Sequence, residues 1–307
     1  MPRDESFDPM TLLPEWVKKE KELAHMLPYV SLVDDQTVRT RGNELFQCIR
    51  LEGVNSYTTD DEHLDKIRAL FASIIAQIGP EFSFYVHKVS KAIDPALKPV
   101  TGDDFAAQVD QKWNAFLKGS GLRDKTLTLT ILHRPALTSK LPFTAKKSIA
   151  AVKAQTEKRM RRVSEVVGFL KSTFADMDPR LLSASKGELL GFLGGLNTGQ
   201  ELPLYPASNY GFLAQDVANS RITFHGTTFE VSEGAVGSRY GTSFAIKNYP
   251  AKTSCTMFDE LNLPVDMVVT HSFTPINSNL MAGRIKKQQR LMRAADDGAV
   301  SLEAQLA

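Results

Sequence analysis

The spacing of apolar and polar residues along this 307-residue chain changes period several times. Runs in which every second residue is apolar predict strands with one buried face, whereas apolar residues that recur every three or four positions predict amphipathic helices. The clearest strand is 126–133, where Leu127, Leu129 and Ile131 share one face. Further strands are predicted at 29–33 and 44–54, paired as a hairpin, and at 82–87 and 180–184, with helices after Thr59 and Thr101 and a long helix over 145–177.

The order of these elements predicts an α+β fold in three parts. Strands that alternate with helices favour mixed sheets with helices packed on one side, and we assign a ferredoxin-like first subdomain to residues 28–200. An acidic N-terminal arm, 1–27, precedes it. A connector rich in Pro, Gly and Asn at 199–211 predicts a boundary, so that residues 201–307 form a smaller, strand-rich second subdomain ending in a long helix.

Composition restricts the class of protein. An apolar content of 42% is enough to bury a sizeable core. Cys48 and Cys255 form no disulfide or zinc motif, which fits a reducing compartment. The N-terminus is acidic where a signal peptide is basic and then apolar, and the most apolar run, 189–196, is shorter than the about 20 residues of a membrane span. We therefore expect a cytoplasmic protein that does not cross a bilayer by itself.

The long helix contains a basic stretch, 146–171, that is a candidate surface for an acidic partner. Clustered cations neutralise phosphates with little further requirement, so this stretch predicts either contact with a nucleic-acid backbone or a solvated helix face that meets an acidic protein. No aromatic residue near the central cations could stack on exposed bases, which favours the second interpretation. The candidate residues are Lys153, Lys158, Arg159, Arg161 and Arg162.

The terminal helix carries a heptad-like seam. Its apolar positions follow alternating steps of four and three, as in helices that pack against a partner helix. The seam is still in phase at its last residues, with neither glycine nor proline to stop the helix, so we expect the helix to continue beyond residue 307. The packing positions are Met281, Ile285, Met292, Leu302 and Leu306.

Motifs for catalysis are incomplete in this chain. The segment 194–199 has the glycine spacing of a phosphate-binding loop, but Gln200 and Glu201 occupy the places of the required lysine and hydroxyl residue, so a glycine-capped helix end is the favoured interpretation. Ser183 and Lys186 have the Ser-x-x-Lys spacing of penicillin-binding enzymes without the other elements of that site. We assign no catalytic, cofactor-binding or metal-binding residue.

Several short motifs, in order along the chain, resemble one known family. They comprise Pro28-Tyr29 with the hairpin 44–53, a helix end with Phe192-Leu193 and Leu196-Asn197, the Phe-x-Ile-Lys-x-Tyr-Pro segment 244–250, and Ser272-Phe273 before the basic residues 284–293. The chain is similar to the N-terminal region of the inner-membrane ATPases of type IV secretion and conjugation machines, the CagE/TrbE/VirB family. The resemblance is weak before Pro28 and strong after Ser238.

This resemblance implies a subunit that helps to energise machine assembly and the transfer of protein or DNA. It implies a peripheral position at the cytoplasmic face of the bacterial inner membrane, assembly with copies of itself, usually as a hexamer, and contact with inner-membrane subunits. In this family the motor domain, with ATP and Mg, lies C-terminal to the matched region. Since this chain has no Walker A or B motif, we expect it to dock and oligomerise but not to hydrolyse ATP alone.

Overall fold

The structure is a computed structural model that describes residues 22–53, 59–93, 102, 104–135, 149–207, 212–232, 237–246, 264–276 and 278–294. The strands are β1 (Tyr29–Leu32), β2 (Val38–Thr40), β3 (Leu45–Leu51), β4 (Phe82–Ala92), β5 (Arg123–His133), β6 (Arg180–Leu181), β7 (Arg221–His225), β8 (Thr228–Ser232), β9 (Ser238–Gly241) and β10 (Met267–Phe273). The helices are α1 (Leu23–Met26), α2 (Asp61–Gln77), α3 (Phe105–Gly119), α4 (Ile149–Thr173), α5 (Glu188–Thr198), α6 (Leu213–Val217) and α7 (Ser278–Ala294).

The chain folds into two compact units, each built from two separate segments of sequence. The first unit combines Met1–Gly42 with Ser183–Ala251, and the second combines Asn43–Leu182 with Lys252–Ala307. This division differs from the predicted parts 1–27, 28–200 and 201–307. The physical reason is long-range strand pairing, because β10 pairs with β4 along its whole length and so joins the C-terminal segment to earlier strands.

The sheet of the second unit is antiparallel at every described ladder within that unit. β3 pairs with β5, β5 with β4, and β4 with β10, while the short β6 also pairs with β3. β3 and β4 therefore run parallel with β5 between them, which is the split β-α-β arrangement of ferredoxin-like domains. The α+β class is confirmed, although these ladders are antiparallel where the sequence predicts mixed sheets.

The core of the second unit lies where α2 and α4 pack on this sheet. Phe82, Phe84 and Ile131 are fully buried on the strands. On α2, Phe71 places its ring 5.7 Å from that of Phe174 and 5.6 Å from that of Phe273. α4 contributes a buried stripe at helical spacing: Val163, Val166, Val167 and Leu170. Complete burial of such a side chain contributes about 1.5 to 3 kcal/mol, so this stripe fixes which face of α4 is outward.

The described residues of the first unit form a hairpin, three helices and a small sheet. β1 pairs with β2, whereas the sequence predicts that it pairs with the strand that begins near residue 44. The sequence gives no sign of β2, because a strand of only three residues is too short to show an alternation. α6 packs against α1, α5 and β1. Arg41 ties the end of α1 to this hairpin by donating to the carbonyl oxygens of Ala24 and His25 over 2.9 and 2.8 Å. β7, β8 and β9 form a separate antiparallel sheet.

Candidate partner-binding surfaces

The outward face of α4 carries three of the five predicted cations. Lys153, Lys158 and Arg161 are exposed. Glu157 and Glu165 are exposed on the same side of the helix, between and beside these cations. The result is a face of mixed charge, which is the ordinary state of a solvated helix and gives no continuous cationic stripe.

Arg159 lies inside the second unit, which corrects its predicted place on the surface. Only 9% of the residue is exposed. Its guanidinium donates to the carbonyl oxygen of Asn43 over 2.8 Å, and to the carbonyl oxygen and Nδ1 of His133 over 3.3 Å each. These bonds hold α4 to the end of β5. The interior place follows from helix geometry, because Arg159 precedes the buried Val163 by one turn and shares its face.

The environment of Arg159 keeps its histidine partner neutral. Burial of the ring lowers the pKa of His133, and the positive charge of Arg159 lowers it further. A neutral ring is also what the geometry requires, since Nδ1 must have a free lone pair to accept the hydrogen bond from Arg159. His133 therefore completes a structural contact and is not poised for chemistry.

Arg162 is engaged by its own chain. Its Nη2 lies 3.5 Å from Oε1 of Glu81, and its Nη1 lies 3.4 Å from Oε2 of Glu165. The guanidinium carbon also lies 5.8 Å from the centre of the Phe82 ring. Partly exposed ion pairs such as these contribute about 1 kcal/mol or less, but they direct Arg162 toward its neighbours and away from an external partner.

The predicted seam of the terminal helix is described only in its first part. On α7, Met281 and Ile285 are half-buried, and Gln289, one turn further on, is half-buried too. The side chain of Met292, and Leu302 and Leu306 altogether, lie outside the described residues, so these positions remain predictions. The other sides of α7 are strongly cationic, with Arg284, Lys286, Lys287 and Arg290 all exposed.

A stripe of large apolar side chains on α3 faces solvent. We call Phe105, Val109, Trp113 and Phe116 the α3 stripe; their exposed fractions are 82%, 48%, 57% and 62%. The rings of Trp113 and Phe116 stack with their centres 5.5 Å apart. The other side of the helix carries the buried Ala107, whose amide donates to the carboxylate of the N-cap residue Asp104 over 2.8 Å.

Sequence periodicity identifies the members of the α3 stripe as one helix face, but it cannot tell whether that face is covered. The same spacing of apolar residues is found where a helix packs on its own core. A core residue on α4 and a stripe residue on α3 therefore look alike in the sequence. Only the fold shows that α3 turns this face outward.

The glycines of helix α5 allow close packing of the chain. Its capping glycine, Gly199, has φ of 73°, so the predicted glycine-capped helix end is confirmed. A Cβ on Gly191 would stand 2.4 Å from the carbonyl oxygen of Leu202, and one on Gly195 would stand 3.0 Å from Cα of Glu201. The glycines let the segment after the helix lie directly against it. Their spacing thus has a steric cause that involves no phosphate.

Ser183 belongs to a hydrogen-bonded turn in the first unit. Its hydroxyl donates to Oδ2 of Asp35 over 2.5 Å, and the amide of Ser185 donates to Oδ1 over 2.7 Å. The Ser183 bond is the main cause that lowers the pKa of Asp35. Asp35 lies in the loop between β1 and β2, so the cluster fixes that loop to the turn before α5. This arrangement accounts for Ser183 without the enzymatic role that its spacing to Lys186 suggests.

Two family descriptions match the chain in consecutive stretches. Residues 36–140 match "Type IV secretion system ATPase VirB4/TrbE, N-terminal domain". Residues 178–307 match "CagE, TrbE, VirB family, component of type IV transporter system". The chain belongs to the VirB4/TrbE/CagE family of type IV secretion ATPases, which places its general role in the secretion machinery.

Individual relatives agree with this family. The chain is 25% identical to the type IV secretion system protein virB4 of Bartonella quintana, over 94% of its own length and 38% of the relative. It is 23% identical to the PtlC homolog of Bordetella bronchiseptica, covering 92% and 36%. It is also 23% identical to CagE of Helicobacter pylori, covering 84% and 28%. The chain thus spans less than two-fifths of the length of these relatives. None of the described helices is both long and apolar enough to cross a membrane.

Proposed function

We propose that this chain is the docking and oligomerisation region of a type IV secretion ATPase, and that nucleotide hydrolysis resides in a motor domain C-terminal to residue 307. Family membership supports the assignment, as does the match to only one part of each relative, which is 38% of the virB4 protein of Bartonella quintana. ATP and Mg are expected in that motor domain. The steric role of the α5 glycines supports the interpretation of 194–199 as a helix end and not as a phosphate-binding loop.

The observation that carries the docking role is the α3 stripe. Monomeric proteins rarely expose contiguous large apolar patches, and such patches typically mark interaction sites. Tryptophan and phenylalanine are also the residues that contribute most at binding interfaces when a partner buries them. The α3 stripe has this composition on one face of a helix whose opposite side carries the buried Ala107.

The partner that we propose for the α3 stripe is an inner-membrane subunit of the secretion machine, met at the cytoplasmic face of the membrane. Lys112 borders the stripe between Val109 and Trp113. Aromatic side chains beside a lysine suit a surface close to the membrane boundary, where apolar groups meet anionic headgroups. The cytoplasmic end of a membrane subunit presents apolar side chains next to those headgroups.

Self-association is the second element of the proposal. The half-buried Met281 and Ile285 begin a seam that, in the sequence, continues through Met292 to Leu302 and Leu306. A heptad-like seam of this kind suits packing against another helix. We propose that it leads toward the motor and supports assembly of the hexamer that the family resemblance implies.

Co-purification tests the docking role. In the full-length protein, Trp113→Ser with Phe116→Ser should reduce recovery of inner-membrane subunits from detergent extracts at least about tenfold, because hot-spot aromatics contribute about 2 kcal/mol or more each. The matched control is Ile149→Ser with Val152→Ser, which removes two exposed apolar side chains from α4. Undiminished recovery with the α3 variant, or equal loss with the control, would contradict the proposal.

A thermal-shift titration tests the separation of docking from hydrolysis. With ATP and Mg²⁺ added to the 307-residue chain, we expect no change in melting temperature, since a ligand that binds only the folded state raises it. A saturable rise would show that nucleotide binds within these residues. That result would contradict the placement of nucleotide chemistry outside them.

A further inference from the structure

We propose that α7 presents a binding surface for the phosphate backbone of nucleic acid. Arg284, Lys286, Lys287 and Arg290, which we call the α7 cations, are all exposed. The surface is separate from the α3 stripe and from the mixed-charge face of α4. It therefore adds a second kind of partner to the docking role proposed above.

The orientation of α7 leaves its cationic side outward. Met281, Ile285 and Gln289 recur every four residues and are half-buried, so this face is the less exposed side of the helix. Lys287 and Arg290 fall on the opposite side and Lys286 on the flank, because successive residues of a helix are turned by about 100°. These cations therefore lie away from the half-buried side of α7 and are open to a partner.

No acidic residue occurs within α7. The helix sequence from Ser278 to Ala294 contains five Lys and Arg residues and no Asp or Glu. Lys286 and Arg290 are four residues apart, and Lys287 and Arg290 are three apart, so like charges are neighbours on the helix surface. Such pairs of like charges destabilise a helix. A polyanion on this face would relieve the repulsion, which intrahelical carboxylates relieve on α4.

The density of the α7 cations matches that of a nucleic-acid duplex. From Arg284 to Arg290 the helix rises about 9 Å. A duplex carries one phosphate charge per about 1.7 Å of its axis, so the same length presents about five phosphates. Four cations over this distance give a comparable charge per unit length.

The composition of α7 also indicates how nucleic acid would be held. The helix contains no aromatic residue, so it has nothing to stack on unpaired bases. Contact would be made to phosphates and would be independent of base sequence. A lipid surface suits the helix less well, because insertion into a bilayer needs a broad exposed apolar face, and Met281 and Ile285 on α7 are half-buried.

Fluorescence anisotropy with a labelled DNA duplex tests the surface, and α4 supplies a matched control. Variant A carries Lys286→Gln, Lys287→Gln and Arg290→Gln; variant B carries Lys153→Gln, Lys158→Gln and Arg161→Gln. Each variant loses two lysines and one arginine from an exposed helix face, and glutamine preserves helix propensity. Circular dichroism establishes that both remain folded.

We expect variant A to bind the duplex at least tenfold more weakly than the native chain, and variant B to bind as the native chain does. The slope of log K against log salt should become shallower by about 2.7 in variant A, at about 0.9 per lost phosphate contact. A charge-preserving variant, Lys286→Arg with Lys287→Arg, should retain native affinity.

Three outcomes would overturn the inference. In the first, variant A binds as tightly as the native chain. In the second, variant B loses as much affinity as variant A, which would show that binding depends on the net charge of the protein and not on the α7 cations. In the third, the native chain binds phosphatidylglycerol vesicles or polyglutamate at least as tightly as duplex DNA at matched charge, which would make the partner a membrane or an acidic protein.

Discussion

Arg159 and Arg161 are two positions apart on α4 and have opposite environments. Arg159 is buried against His133 and Asn43, whereas Arg161 is exposed. The sequence contains the signal for this difference, because Arg159 lies one turn before Val163 and so joins the buried stripe. A count of charged residues along the chain does not separate the buried Arg159 from the exposed Arg161. Helical periodicity has to be applied to polar residues as well as to apolar ones.

Replacement of Arg159 tests its structural role. Arg159→Met should lower the free energy of unfolding by about 2 kcal/mol, because it leaves buried acceptors on Asn43 and His133 without their donor. Arg161→Met, the exposed control, should change it by less than about 0.5 kcal/mol. Urea unfolding gives both values. Equal stability of the two variants would show that the Arg159 contacts contribute nothing measurable.

The buried histidines predict a dependence of stability on pH. Burial lowers the pKa of His87 to about 4, and that of His133 is lowered too. An unfolded histidine titrates near 6.5, so the unfolded state binds protons first as the pH falls. Stability should therefore be constant above about pH 7 and decrease between about 6.5 and 4, with His87 alone contributing a loss of about 2 kcal/mol by pH 5.

Unfolding in urea at pH 7.5 and 5 measures this decrease. His87→Gln keeps a side chain that can bond the Thr270 hydroxyl, which lies 3.0 Å from Nδ1 of His87, but it cannot titrate. The variant should lose less stability over this interval than the native chain. An identical decrease in both proteins would assign the pH dependence to other groups.

At the scale of secondary structure, α5 shows how glycine spacing fixes packing. Gly191→Ala should destabilise the fold by about 1 to 3 kcal/mol, because its Cβ would meet the carbonyl oxygen of Leu202 at 2.4 Å and force the chain apart. Gly168→Ala on α4 is the control, since a Cβ there meets nothing within 4 Å. That change should stabilise the helix by up to about 1 kcal/mol. Thermal unfolding measures both, and destabilisation by both changes would refute the steric explanation.

Elements with a long and regular pattern could be predicted from the sequence. The predicted strand 126–133 lies within β5, and the predicted helix 145–177 contains α4. β2 could not be found, because three residues carry no period. The α3 stripe was recognisable as one helix face, but its exposure depends on what the fold places beside it, and no local pattern contains that information.

At the scale of the whole molecule, the division into units depends on contacts between distant residues. β10 joins β4 across more than 170 residues of sequence, as in the 2.8 Å bond from the Ala92 amide to the Asp266 carboxylate, separated by 174 positions. Arg123 donates to the same carboxylate over 2.6 Å. Pairing over such distances leaves no periodic pattern in the sequence. The predicted boundary near residue 200 therefore depends only on a local change of composition.

We propose that this region docks the secretion ATPase to its machine through the α3 stripe. Site-specific photo-crosslinking tests it most directly, with a photoreactive residue replacing Phe116 in the full-length protein and Ile149 as the exposed control position. In cells that make the complete machine, we predict a crosslink from position 116 to an inner-membrane subunit and none from position 149. Crosslinks from position 149 alone, or from neither position, would contradict the claim.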